Sequence, residues 1–138
     1  MPDLCTYDYA IVRVVPQVER GEFINAGVIL VCASRGFLKA VVELDEAGLR
    51  FLDPAADVES FKAALSAIPA ICHGGPGGGP IGQLPLRARF DWLVAPRSTS
   101  VQVSPVHSGR CADLDAALDR LMERMVRRPG GKVQPTCV

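Results

Sequence analysis

The sequence predicts an α+β domain with a mostly antiparallel sheet, in the order β-β-β-α-α-β-α. Two observations carry this. The first 44 residues hold three β-branched, apolar runs separated by short polar connections, which is the pattern of an antiparallel meander. From Asp57 onward the apolar period changes from two to that of a helix, and it reverts only briefly before a final amphipathic helix. No internal repeat or second domain is visible, so residues 5–128 read as one domain and 129–138 as a disordered C-terminal tail.

The elements follow in order. YDYAIVRVVP, Tyr7 to Pro16, is β-branched and aromatic, and a proline ends it. EFINAGVILVC, Glu22 to Cys32, is apolar on both alternating faces, as expected of a central strand covered on two sides. In FLKAVVEL, Phe37 to Leu44, residues Leu38, Ala40, Val42 and Leu44 share one face, while Lys39 and Glu43 lie on the other. Asp57 suits the N-cap of a helix carrying Val58, Phe61, Leu65 and Ile68 on one stripe, with Pro69 ending or kinking it. PLRARFDWLV, Pro85 to Val94, starts a second helix with proline and puts Leu86, Phe90 and Leu93 together. STSVQVS, Ser98 to Ser104, reads as the fourth strand. Asp113 caps the last helix, whose stripe is Leu114, Leu118, Leu121, Met122 and Met125. Its Arg120, Arg124, Arg127 and Arg128 are diluted by Asp115, Asp119 and Glu123, as on a solvated helix surface.

Composition limits the function. Fifteen basic residues balance fifteen acidic ones, which argues against a dedicated nucleic-acid binder. No apolar run approaches the roughly 20 residues needed to cross a bilayer, and the N-terminus lacks the pattern of a signal peptide. A cytoplasmic protein is expected, with its five cysteines reduced: small core residues, plus a free thiol in each flexible end.

The glycine stretch HGGPGGGPIG, His73 to Gly82, contains a G-x-G-x-x-G match, but it follows a helix and not a strand, and Pro80 lies inside it. It has no Lys or hydroxyl residue to complete a P-loop, and no G-x-S-x-G elbow accompanies it. It reads as a connection between two helices. Cys72, His73, His107 and Cys111 lack the spacing of a zinc site, so no metal or other cofactor is expected. Ser104 and His107 without a nucleophile elbow make a weak triad, and no catalytic residue is assigned.

Three places could hold a ligand. Arg13 interrupts an apolar strand and needs a partner, for which Glu22 on the neighbouring strand is one candidate. Asn25 and Gly27 share a face mid-strand, which suggests a polar pocket, a close backbone approach, or a bulge in which Asn25 bonds to backbone. APRSTSVQVSPVHSG offers Arg97, Ser98, Thr99, Ser104, His107 and Ser108, donors able to hold a phosphate or carboxylate, or hydroxyls that cap turns.

The stretches YDYAIVRVVPQVERGEFINAGVIL, RFDWLVAPRSTSVQVSPVHSG and DLDAALDRLMERMV resemble a bacterial domain-of-unknown-function family, DUF3037, from about Tyr7 to Val126. R-G-E-F-I-N, A-P-R-S and S-P-V-H occur in the family's order; Ala26 and Ser108 are mild departures. The resemblance implies no established activity. It implies a small cytoplasmic bacterial protein and, through members encoded beside a HipA-type kinase-like protein, a protein partner of that kind. A site would fall on Arg13, Arg20, Glu22, Asn25, Arg97, Ser98, Ser104 and His107. Two functions follow as expectations. One is a non-enzymatic partner or regulatory module. The other is a binder of a small anion or nucleotide, enzymatic or not, built on the Arg, Ser and His residues.

Overall fold

The computed structural model describes residues 3–97 and 99–127. It is α+β: strands β1 (Cys5–Val14), β2 (Ile24–Cys32), β3 (Phe37–Val42), β4 (Val101–Val103) and β5 (His107–Cys111), and helices α1 (Glu46–Leu52), α2 (Val58–His73), α3 (Gly79–Gly82), α4 (Leu86–Val94) and α5 (Leu114–Met125). The expected tail and Arg128 lie outside the described residues.

Every strand pairing is antiparallel, and the sheet order is β3-β2-β1, with β4 and β5 sharing the far edge of β1. The meander is as expected, with its turns closed by glycines in the left-handed conformation, Gly21 (φ 72°) and Gly36 (φ 59°). β2 is buried almost throughout, as a central strand covered on both faces must be.

The strand period of two divides the core. Val12, Val14, Ile24, Ala26, Ile29 and Val31 pack under α1, α2 and α4, against Leu49, Leu65, Ile68, Phe90 and Leu93. Cys5, Tyr7, Ile11, Val28, Leu30 and Cys32 pack under α5, against Leu114, Ala117, Leu118, Leu121 and Met122. The molecule therefore has three layers, with the sheet in the middle. Arg127 ties the end of α5 to the sheet. Its guanidinium meets Glu43 at 2.5 Å, Glu123 at 2.7 Å and Asp119 at 3.3 Å.

Besides the single turn of α3 inside the glycine stretch, three features differ from the sequence reading. The first is α1, which that reading leaves unassigned. Asp45 accepts a hydrogen bond from Gly48 N at 3.0 Å to cap it, and it buries only Leu49, too little to mark a stripe. The second is α2, which runs through Pro69 to His73. Proline removes one helical hydrogen bond there, and burial of Ile71 and Cys72 offsets that loss. The third is β5, which the reading treats as a polar loop. His107–Cys111 has little strand propensity and is strand because it pairs with Cys5 to Tyr9. Gly109 permits that pairing: a Cβ there would lie 2.6 Å from the Tyr7 ring.

The glycine stretch is indeed a connection between helices, but a packed one. Gly74 and Gly75 have φ of 81° and 79°. Arg89 of α4 reaches back to donate to the carbonyls of Ile71 (3.1 Å) and Cys72 (2.6 Å), closing the end of α2 over Gly74. A Cβ on Gly74 would meet that guanidinium at 2.9 Å, whereas one on Gly77 would meet nothing within 4 Å. Gly74→Ala should therefore lower stability by about 1–3 kcal/mol. Gly77→Ala should leave it level or raise it by up to about 1 kcal/mol. Urea unfolding of the two variants checks the contrast.

Candidate functional site

The residues singled out in the sequence are distributed over both faces of the sheet. Arg13 and Asn25 are cross-strand neighbours beside an irregularity in the β1–β2 register, where Val12 faces Gly27 and Arg13 faces Asn25, leaving Ala26 between. Asn25 donates through Nδ2 to the carbonyl of Met125 at 2.9 Å, so the side-chain amide of a residue at the start of β2 closes the end of α5. Gly27 is a point of close backbone approach: a Cβ would stand 2.6 Å from Val41 O. Arg13 lies with its Cζ 4.3 Å from the ring centre of Phe23, a cation–π contact. Its Nε and the Oδ1 of Asn25 are buried without hydrogen-bond partners.

Glu22 is not the counter-ion of Arg13. It forms a two-pronged pair with Arg20, at 2.7 and 2.9 Å, at the surface of the β1–β2 turn. Each group favours the other's charged form: the hydrogen bond from Arg20 holds the Glu22 carboxyl below its ordinary range.

Arg97 belongs to the other face. Its guanidinium stacks on Trp92 at 4.3 Å and donates to the carbonyls of Trp92 (2.6 Å) and Leu93 (3.3 Å), capping the end of α4. It lines an apolar depression of about 230 Å³ with Ala64, Ala67, Ile68 and Trp92. Arg13, on the β1 face that carries Tyr7 and Ile11 beneath α5, is therefore separated from Arg97 by the sheet itself. His107 is exposed on β5, its ring 5.6 Å from that of Tyr9. Ser98 lies outside the described residues.

Ser104 is buried and has a structural task. The chain from Val101 to Cys111 follows one edge of β1, but its register slips by one residue around Pro105. At the slip the Ile11 amide donates to Ser104 Oγ at 2.8 Å, while the Ser104 amide donates to Ile11 O at 2.8 Å and its hydroxyl to Pro105 O at 2.9 Å. The side chain supplies the acceptor that the displaced backbone does not.

The sequence reading missed two groups. Asp8, between the two tyrosines of β1, accepts from Ser108 Oγ at 2.6 Å and from Arg87 at 2.9 Å, and Arg87 also reaches Asp91 at 3.2 Å. Ser108 foremost, and Arg87 after it, hold the Asp8 carboxyl below its ordinary range against a smaller opposing effect of burial. Strand alternation could have shown that Asp8 leaves the α5-facing side, but not that α4 brings Arg87 to meet it.

The second missed group is aromatic. Phe51, on the outer side of α1, is 86% exposed, and Phe23 is 45% exposed. An open depression of about 510 Å³ lies between them, floored by Ile24 and Leu52. It adjoins a polar hollow of about 290 Å³ that contains Asn25, Met125 and Arg127, with Phe23, Ile24 and Asp45 common to both. Both phenylalanines are visible in the sequence, but their exposure is not, because α1 is not.

Among the described residues no group of three or more His, Cys, Asp and Glu side chains is placed to hold a metal ion. No helix among them is long and apolar enough to cross a membrane.

Residues 9–126 match one family model, described as a protein of unknown function, DUF3037. No curated protein and no solved structure matches the chain.

Two outcomes follow from this geometry. Ser104→Ala should leave the Ile11 amide buried without an acceptor and cost about 1–3 kcal/mol, measurable by chemical denaturation. Asp8 should contribute stability above its unfolded value of about 3.9 and lose it as pH falls through the lower folded value. Wild type should exceed Asp8→Asn in stability at neutral pH, and the gap should close as pH falls below about 4. Melting curves across pH 2 to 7 on both proteins check this.

Proposed function

We propose that this chain, which belongs to the DUF3037 family, is a non-enzymatic partner module that docks onto another protein through the surface carrying Phe23 and Phe51. The carrying observation is the 86% exposure of Phe51, on a short helix that keeps only Leu49 fully inside. Aromatic side chains, Phe among them, are enriched at protein–protein interfaces relative to the rest of the surface. Here Phe51 stands beside a second exposed ring and an open depression with apolar walls, a larger apolar feature than scattered surface residues make.

The polar candidates support the same reading. Ser104 and Arg97 spend their hydrogen bonds on backbone groups of this chain, Arg20 and Glu22 on each other, and Asn25 its amide nitrogen on Met125. A catalytic or anion-binding cluster needs such groups to converge with spare donors. The partner proposed is a HipA-type kinase-like protein from the same genome, following the family resemblance.

The test is co-purification of the two proteins, with affinity measured by calorimetry. Phe51→Ser should weaken association at least about tenfold, as loss of an interface anchor does. Its melting temperature should stay near that of the wild type, because the ring is in solvent already. Association unchanged by Phe51→Ser would remove this surface from the interface. No association by wild type would remove the kinase-like protein as the partner.

A further inference from the structure

We propose that the apolar depression beside Arg97 binds a small carboxylic acid whose apolar body is the size of a single ring, with the carboxylate held by the Arg97 guanidinium. The depression has a volume of about 230 Å³ and is lined from α2, α4, β4 and the segment between α4 and β4. It shares no lining residue with the Phe23–Phe51 surface, so it is independent of the partner proposed above.

Its shape follows from the sequence. α2 contributes two alanines, Ala64 and Ala67, and the space that larger side chains would fill stays open. Ile68 and Leu93, buried members of the core, and Val103 of β4 also line it. An apolar body placed there takes this lining out of water, which is favourable in proportion to the area covered. Volume limits the size of the ligand. Sites for drug-sized molecules run from about 300 Å³ upward, whereas an apolar cavity of about 150 Å³ accepts benzene. A volume between the two suits one ring with a short arm.

Charge selects the head group. Among the described residues that line the depression, Arg97 carries the only charge, and no carboxylate there answers it. The guanidinium is held in place, with Cζ 4.3 Å from the centre of the Trp92 ring and bonds to the carbonyls of Trp92 (2.6 Å) and Leu93 (3.3 Å). Those bonds leave part of its fork of five N–H donors for a ligand. A planar fork already fixed in place suits a carboxylate, because the pairing is charge-assisted and little side-chain freedom is lost on binding. Thr99 and Gln102, polar side chains of the same lining, donate to the carbonyls of Val101 and Thr99, 2.8 Å each, and brace the segment that follows Arg97. Sequence reading grouped Arg97 with Ser104 and His107; the fold sets an apolar cavity beside it in their place.

Trp92 is the chain's only tryptophan and lines the depression, so its fluorescence reports binding directly. The probe is phenylpropionate, titrated into the folded wild-type chain at constant ionic strength beside phenylpropanamide and phenylpropylamine, which keep the ring and change the head group. The acid should give a saturable change and bind at least about tenfold more tightly than the amide, with the amine weaker still. Ala67→Glu, at an exposed helical position, brings a competing carboxylate to the depression. It should lower the affinity for the acid at least about tenfold while the melting temperature stays near that of the wild type. Ala67→Gln, of equal size without the charge, should retain more of that affinity. Arg97→Met should bring acid and amide to equal affinity. Equal affinity of the wild type for acid and amide, tighter binding of the amine, an acid affinity unmoved by Ala67→Glu, or no saturable response to the acid would overturn the proposal. The wild-type series and Ala67→Glu decide the matter even if Arg97→Met fails to fold.

Discussion

β1 is bonded along both of its edges, and that requirement shapes the rest of the molecule. On one edge it meets β2. On the other it meets residues 101–111, which contain Pro105 and could not pair continuously with it. The hydroxyl of Ser104 resolves the conflict by accepting the Ile11 amide at the slip. With that bond in place the chain after α4 can run the length of β1, first as β4 and then as β5. It arrives at Asp113, where α5 begins, at the end of the sheet that α5 must cover. Without it, a buried amide of an interior strand would lack a partner.

The helix layers depend on similar substitutions of side chain for backbone. Arg89 caps the end of α2, Arg97 that of α4, and Asn25 that of α5. In each case a polar side chain satisfies carbonyls that a helix end leaves open, and two of the three, Arg97 and Asn25, are residues that looked available for a ligand. Several of the conspicuous polar residues are thus engaged with backbone groups of this chain. Most of them hold the ends of elements. Arg13 differs, since its Nε is buried without a hydrogen-bond partner and its charge rests on the face of Phe23. That contact connects the sheet to the exposed aromatic surface on which the proposed interface is built.

The sequence by itself determined the α+β class, the meander, the two-sided burial of β2 and the stripe of α5. These follow from local periodicity, and the periods of two and 3.6 survive in any context that buries one face. It also identified the glycine stretch as a helix connection, since a dinucleotide loop needs a strand before it. Only the tertiary structure decided the rest. β5 is a strand because β1 offers it an edge, and α1 is a helix because Asp45 caps it and Leu49 finds the core. Neither choice is encoded in a run long enough to show a period. The partners of Arg13, Arg97, Asn25 and Asp8 were illegible for the same reason. Asp8 meets Arg87 and Asn25 meets Met125 across 79 and 100 residues of chain, and only the packing of helices on the sheet brings such positions within hydrogen-bond distance.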